Sequence, residues 1–549
     1  MSDNDDLTTK LNLSNLSRRD LVKAMGPAAA VALAGCADDG DDAGDDTGNG
    51  ADEQAPPELQ SGGTLDVGMQ VGIQSLDPRN VTGLQSFQIS YNIYSKLLRY
   101  DRDGDDFVIV GDLAEGWTWE DDTTMIMELD ESAVYHNGDP VLAEDVVYTF
   151  ESMFANPGAY TASLMFSTEF DVEAVDDHTV QFNTGDEPFG ALESSLAFVL
   201  GIVSEDIDEE YDLATNPVGS GPFEFVEWVD GSYVTVERFD DYWKEDEDGN
   251  QLPYLDGIEF NIFPTDATKL RELETGGLDW IDVVPWRDVE SVVNDGSLKV
   301  QTTGPGGWMG IMQLNTMEPP FSDKNIRQAV LHAIDFDALI NTVFFGVAER
   351  GANNPLSPDL EWDFQVDDPY QGQDIERAEE LLEEADVDPT GMTITNPVTR
   401  GYDHRIRMHE IIQEQLSDLL DIDIEILVED GSVVFERQSQ GEFGFTISAF
   451  NGMWDPDQIF SANLAEGAFF NYGGYANEEV NDLLEQGRRA RSREDRLDIY
   501  NEISQHYTED AAKYYPYWDD VHHAMGQHVY GYTPVIDQTW WFEQVWMDQ

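Results

Sequence analysis

The segment IRMHEIIQEQLSDLL, residues 406–420, runs through Asp421 into Ile422-Asp423-Ile424-Glu425-Ile426. In the first part Ile412, Leu416, Leu419 and Leu420 fall on one face at the period of an α-helix. In the second, apolar and acidic residues alternate as in a half-buried strand. A helix leading directly into a strand is what a crossover between parallel strands requires. The same alternation of element types extends outward in both directions. Thr64-Leu65-Asp66-Val67-Gly68-Met69 reads as an opening strand, and residues 143–150 as a helix with Val146, Val147 and Phe150 on one face. Ile326, Val330, Leu331 and Ile334 follow helical spacing after an Asp323 cap, and residues 478–489 and 494–508 form a late helical pair. The pattern specifies an α/β fold with a mostly parallel sheet. At 549 residues the chain is too long for one core, so two or three packed regions are expected.

Charge separates this chain from an ordinary α/β protein. There are 112 Asp and Glu against 28 Lys and Arg, a formal net charge of −84, and only eight lysines. A surface this acidic repels itself at low ionic strength; at about 1 M salt the Debye length is roughly 3 Å and the repulsion is screened. With 41% hydrophobic and 11% aromatic residues the chain has ample material for a core. It reads as a folded protein adapted to a very salty medium, a halophile's protein, rather than a disordered acidic polymer. The same charge excludes nucleic acid as a partner, since phosphate binding needs clustered Lys and Arg.

The front end is an address. Ser17-Arg18-Arg19-Asp20-Leu21-Val22-Lys23 resembles a twin-arginine export motif, with Arg18 and Arg19 as the pair. The apolar stretch from Ala24 to Gly35 is too short to span a bilayer, which needs about 20 residues, and no later run is long enough either. It ends in Leu33-Ala34-Gly35-Cys36, which resembles a lipobox; Cys36, the only cysteine, is then the lipidation site. Residues 1–36 are expected to be a lipoprotein signal and 37–61 a disordered acidic linker, a coil reaching roughly 25–30 Å and further under charge repulsion. The body has no thiol, so disulfides and thiolate catalysis are excluded.

Four stretches then occur in a familiar order. They are Asp112-Leu113-Ala114-Glu115-Gly116-Trp117 with Tyr135-His136-Asn137-Gly138-Asp139-Pro140 and Ala143-Glu144-Asp145-Val146; Gly219-Ser220-Gly221-Pro222-Phe223 with Trp228 and Tyr242-Trp243; Asn315, Pro319-Pro320-Phe321 and Ile326-Arg327-Gln328-Ala329-Val330 through Ile334-Asp335; and Tyr475-Ala476-Asn477-Glu478-Glu479-Val480-Asn481-Asp482-Leu483-Leu484. Together they resemble the family-5 extracellular solute-binding proteins of ABC importers, which include oligopeptide-, dipeptide- and nickel-binding members. The resemblance implies a two-lobed periplasmic-binding-protein-like fold (type II, the large peptide-binding type). Lobe one would comprise 62–98, 205–301 and 519–549, an extra subdomain 99–204, and lobe two 302–518.

The resemblance further implies a monomeric capture protein, held to the outer face of the cytoplasmic membrane by its lipid anchor alone. It would close on a peptide-like or other small organic solute and deliver it to an ABC permease and its ATPase subunits, with no cofactor, metal or catalytic residue. A ligand holds the closed form only through contacts absent from the open form, so cleft-facing residues matter most. These would be Trp308, Met312, Arg400, Tyr402, Asn451, Trp454 and Asp455. In the peptide-binding relatives an aspartate three residues before an acidic-Pro step pairs with the peptide's α-amine. Here that position, counted from Asp455-Pro456, is Gly452, leaving Asp455 or Asp457 as substitutes or as turn chemistry. Arg400, in a Gly-adjacent loop, reads equally as a bidentate carboxylate ligand or as half of a surface ion pair.

Other signals resolve into structure. Asp101, Asp103, Asp105 and Asp112 lack the sixth-position glycine of a calcium loop and read as a hairpin. His409-Glu410 has no second histidine at metalloprotease spacing. His522-His523 sits in a strand-like stretch where neighbours face opposite ways. The aromatic runs Tyr514-Tyr515-Pro516-Tyr517-Trp518 and Trp540-Trp541 read as core. The rival to a binding protein is an exported hydrolase acting on peptide or glycoside; no Ser/His/Asp arrangement, zinc signature or phosphate loop supports it.

Overall fold

The computed structural model describes residues 57–81, 83–104, 106–155, 170–198, 201–303, 307–356, 360, 362, 366–451 and 455–548. Arg18, Arg19, Cys36, most of the acidic linker, Asp105 and Trp454 lie outside these residues. The strand Thr64–Met69 forms where its alternation demands, with Leu65, Val67 and Met69 fully buried. It is the centre of a seven-stranded sheet ordered 298–302, 522–526, 280–281, 64–69, 257–262, 233–238 and 223–229. Thr64–Met69 runs parallel to both its neighbours, and the remaining pairs are antiparallel.

A second sheet orders Glu349–Arg350, Tyr517–Asp519, Trp308–Leu314 and Phe445–Asn451, with Lys513–Tyr514 also on Trp308–Leu314; all its pairs are antiparallel. The helix–strand segment 406–426 lies in neither sheet. Its helix, Asp403–Leu420, crosses between Thr393–Thr399 and Asp423–Glu429, which pair in parallel as a two-stranded unit. The crossover reading therefore holds locally, but the expectation of a mostly parallel sheet does not. Successive strands such as Phe223–Val229 and Tyr233–Arg238 are joined by tight turns, here through Gly231 at φ 68°, which return the chain antiparallel.

The other elements follow from local chemistry. Asp323 caps Lys324–Ala333 by accepting from the Asn325 N–H at 2.9 Å, and its second oxygen takes the Asp386 and Val387 N–H groups at 2.6 and 3.0 Å. The face Ile326, Val330 and Leu331 then packs with Phe336, Ile412 and Leu416. Ala143–Phe154 covers a four-stranded antiparallel sheet made of 114–119, 124–129, 179–183 and 171–174. The acidic stretch after Leu98 is a hairpin, with Asp103 opposite Asp106.

Two segments cross between the main sheets side by side. Leu298–Thr302 leads into Trp308–Leu314, and Tyr517–Asp519 leads back into His522–Gly526. Thr303 N–H donates to the Val521 carbonyl, and Val521 N–H to Thr303 Oγ1, each at 3.2 Å. The body is an α/β protein of two lobes joined by this pair of strands.

Close packing fixes the Gly219-Ser220-Gly221 turn against the end of helix Leu84–Ile93. Gly221 N–H donates to the Ile93 carbonyl at 2.8 Å, and a Cβ on Gly221 would lie 2.6 Å from the Ile93 carbonyl carbon. Gly221→Ala is expected to destabilise the protein by about 1–3 kcal/mol through overpacking. Urea unfolding in molar salt checks it; a midpoint unchanged from wild type would show that the backbone there yields freely.

Candidate functional site

A cavity of about 420 Å³ lies between the two sheets. On the first side, Gln70 and Val71 follow strand Thr64–Met69, and Asp282 and Val283 follow the parallel strand Trp280–Ile281. Adjacent parallel strands leave a crevice at their carboxyl ends, because the chain departs there. On the other side stand Trp308, Ser448 to Phe450, Tyr517, Asp519 and the first turn of helix Asp403–Leu420.

The wall is mostly aromatic. Trp286 meets Phe344 edge-on at 5.0 Å and His404 at 4.9 Å, and Phe344 meets Tyr517 at 4.5 Å. Phe450 and Phe470, 4.9 Å apart, close a second side. Burial pushes His404 down to about 3, with Arg405 beside it acting the same way, so this ring is neutral at ordinary pH. Such walls suit the apolar body of a small ligand.

The charged groups are unequal. Asp282 is neutralised: buried Lys269 pairs with it and with Asp266 at 3.1 Å, while the Gln70 and Val283 N–H groups donate to it at 3.1 and 2.7 Å. Burial works against the Lys269 charge, but Asp282 and Asp266 more than offset it and hold its pKa above the usual lysine value. Asp519 is different. It is 2% exposed; Trp286 Nε1 donates to its Oδ2 at 2.6 Å, and its Oδ1 has no hydrogen-bond partner among the described residues. Burial drives its carboxyl well above the usual range, against the Trp286 hydrogen bond. Arg405 stacks over Tyr402 at 4.4 Å, and its Nε is buried without a hydrogen-bond partner.

This arrangement gives an aromatic, selectively charged cavity between the two lobes. Residues 108–471 match the model of the bacterial extracellular solute-binding proteins, family 5. The chain belongs to that family. Family-5 proteins bind solutes and are not enzymes, so the hydrolase alternative falls. The oligopeptide-binding protein AppA of Bacillus subtilis is 26% identical over 450 residues, covering 76% of this chain and 80% of AppA. The solved structure of the periplasmic binding protein DppA from Helicobacter pylori, in complex with the peptide STSA, superposes with a TM-score of 0.79 at 24% identity, covering 89% of this chain and 99% of DppA. The binding protein AgaA from A. tumefaciens R10, in complex with agropinic acid, gives a TM-score of 0.78 at 24% identity, covering 89% of this chain and 99% of AgaA. Among the described residues no helix is long and apolar enough to cross a membrane.

Within this family-5 protein the expected cleft residues separate. Trp308 and Tyr402 border the cavity, and the backbone of Asn451 pairs with that of Trp308. Three others do not serve as expected. Met312 lies further along the Trp308 strand, fully buried in the core with Leu314, Ile326 and Leu416. Arg400 extends the edge ladder, its N–H donating to the Glu429 carbonyl at 2.8 Å; its exposed guanidinium reaches the Val428 carbonyl at 3.1 Å and Asp430 at 3.5 Å. Arg400 thus stands in a surface ion pair with Asp430. Asp455 is buried against Arg496, with contacts of 2.8 and 2.5 Å, and caps Pro456–Leu464 by accepting from the Asp457 N–H at 2.8 Å.

Sequence reading missed Asp519, Arg405 and Trp286. An acid ending the aromatic run from Tyr514 to Trp518 was a visible anomaly, and Arg405 lies about one helical turn past Arg400. Trp286, in a short irregular turn, carried no periodic signal.

Proposed function

We propose that this protein is the capture subunit of an ABC importer, closing its lobes on a peptide-like or other small organic solute and delivering it to a permease. The aromatic cavity between the two sheets, next to the paired crossing strands, carries this reading. Lobe one is assigned to 62–98, 205–301 and 519–549, with 99–204 as its extra subdomain and 302–518 as lobe two. Closure is a hinge movement about Thr303 and Asp520-Val521, where the paired segments cross between the sheets and each sheet stays intact. Export through Arg18-Arg19 and lipidation of Cys36 hold the protein at the outer face of the membrane, with the acidic linker as a tether. The net charge of −84 suits a saline exterior, where the repulsion among 112 acids is screened.

The test begins with mass spectrometry of the solute released when the purified protein is denatured, followed by titration of that solute back in molar salt. A saturable 1:1 heat with the solute recovered unchanged is expected. Trp308→Ala should weaken binding about tenfold by removing apolar contact area, with little change in thermal midpoint. Consumption of the solute, or an affinity unmoved by Trp308→Ala, would overturn the assignment. Separately, Cys36→Ser should move the protein from the membrane fraction to the medium; full retention would remove the lipid anchor.

A further inference from the structure

We propose that Arg489 and Arg491 form a clasp that holds the extra subdomain against lobe two while the lobes are closed, with a grip that weakens as salt rises. The proposal rests on the lobe assignment given above.

Arginine is scarce in this chain, 20 residues beside 112 acids, yet five of the 20 fall between Arg488 and Arg496. They surround the turn between helices Glu478–Arg489 and Arg493–Asp510. Arg488 and Arg496 turn back to Asp457, at 3.7 Å, and to Asp455 within lobe two. Arg489 and Arg491 reach out of it, to residues of 99–204. The Arg489 guanidinium pairs with Glu187, besides Glu485 of its own helix at 3.2 Å. Arg491 donates to the Asp121 carbonyl at 3.3 Å, lies 3.6 Å from the Asp122 carboxylate and stacks over the Trp119 ring at 3.9 Å. Trp119 is itself held in place, its Nε1 donating to Glu193 at 2.8 Å.

The backbones meet at the same place. Gly190 N–H donates to the Arg488 carbonyl at 2.7 Å, and a Cβ on Gly190 would lie 2.3 Å from the Ala490 carbonyl oxygen. None of these residues belongs to the strands that cross at Thr303 and Val521. A rotation about those strands carries 99–204 with lobe one and Arg489 and Arg491 with lobe two. The contact is therefore made in the closed form and broken in the open one. Whatever favours the closed form also raises the affinity for a solute that the closed form holds.

Charge makes the clasp sensitive to salt. The flanking sequence is acidic on both sides, Glu120-Asp121-Asp122 in the subdomain and Glu494-Asp495 beside the arginines, so without the two guanidinium groups closure brings like charges together. The Arg489 and Glu187 side chains are 46% and 52% exposed, which leaves their attraction open to screening. The stack of Arg491 on Trp119 is shorter in range and survives more salt.

The experiment measures the distance between two spin labels by pulsed electron paramagnetic resonance. The labels sit at Val175→Cys in the subdomain and Ile375→Cys in lobe two, both exposed positions, in the full chain with Cys36→Ser. Distances are read with and without the co-purified solute at about 0.5 M and about 3 M salt. Relative to wild type, Arg489→Gln with Arg491→Gln should lower the closed-to-open ratio about tenfold at the lower salt and about twofold at the higher. Solute affinity, read by calorimetry, should fall by the same factors. General repulsion among the acids also changes with salt, but it acts on both proteins, so their comparison isolates the clasp. Arg377→Gln with Arg437→Gln removes equal charge from ion pairs inside lobe two and should leave ratio and affinity unchanged. If the clasp variant folds poorly, Asp122→Asn with Glu187→Gln cuts the same pairs from the acid side and should also lower the ratio. Ratios and affinities equal to wild type, or an equal loss in the lobe-two control, would overturn the clasp and leave solute binding standing. A label distance that solute does not move in wild type would overturn lobe closure and the clasp together.

Discussion

Asp455→Ala is expected to destabilise the folded protein by about 3–5 kcal/mol while leaving the affinity of the molecules that remain folded unchanged. Asp455 and Arg496 are each only 5% exposed at the side chain and face each other as a two-contact fork. Burial opposes the Arg496 charge, and the Asp455 carboxylate more than offsets it. Truncating the acid leaves a guanidinium among Trp362, at 5.3 Å, and Tyr500, at 5.6 Å, with no counter-ion of comparable geometry. It also strips the cap from helix Pro456–Leu464, worth about 1 kcal/mol. Asp455→Asn separates the two effects: asparagine keeps the cap and loses the charge, so it should recover only the smaller part. The double variant Asp455→Ala with Arg496→Met should be more stable than the single one, because no buried charge is then left alone. Urea midpoints in molar salt read the stability and calorimetry the affinity. A variant that keeps its midpoint but loses affinity would return Asp455 to the cleft.

How far the chain could be read without coordinates follows the range of the forces involved. Thr64–Met69 and helix Glu478–Arg489 lie where periodicity puts them, since a strand's alternation and a helix's apolar stripe are local records of which face is buried. The helix at 406–420 starts three residues earlier, at Asp403, because Gly401 at φ 93° turns the chain there and an acid in the first turn favours the helix start. Sheet direction was less legible: strand pairing depends on which segments meet across hundreds of residues, as Leu298–Thr302 meets His522–Gly526. The site was least legible. Asp455 and Asp519 are both acids beside aromatic residues in sequence, and only the fold gives one Arg496 and the other an open oxygen. Met312 shares a strand with Trp308, yet one is sealed in the core and the other borders the cavity.

Acidification below about pH 6.5 is expected to destabilise the protein, and buried histidine is the leading cause. Burial pushes His136 and His409 down from 6.5 to about 4, and His404 and His523 to about 3. Burial disfavours the charged rings and outweighs the backbone hydrogen bonds of His136, His409 and His523, which favour the proton. The Nδ1 of His409 bonds the Arg405 carbonyl at 2.8 Å and that of His523 the Asp282 carbonyl at 2.6 Å, while each Nε2 is buried with no partner. In His136 one nitrogen accepts from Gly219 N–H at 3.3 Å, so protonation would break that bond. Above pH 6.5 these rings are neutral in both folded and unfolded chains, and stability does not depend on them. Below it the unfolded chain binds protons that the folded one refuses, so stability falls with pH, by about 1.4 kcal/mol per unit for each ring until its folded value is reached. At pH 4.5 the four rings together remove roughly 11 kcal/mol, comparable to the whole stability of a domain. Asp66, Asp145, Glu224, Asp368 and Asp519, whose carboxyls burial raises, act in the opposite sense, while His332 and His522, also lowered by burial, act with the four rings. Molar salt screens the surface charge and isolates the buried rings. Urea midpoints should hold from pH 8 to about 6.5 and collapse toward 4.5. His409→Leu, which leaves the cavity untouched, should lessen that loss by about 2–3 kcal/mol. A midpoint steady down to pH 4.5 would mean that these histidines take up their protons without unfolding the chain.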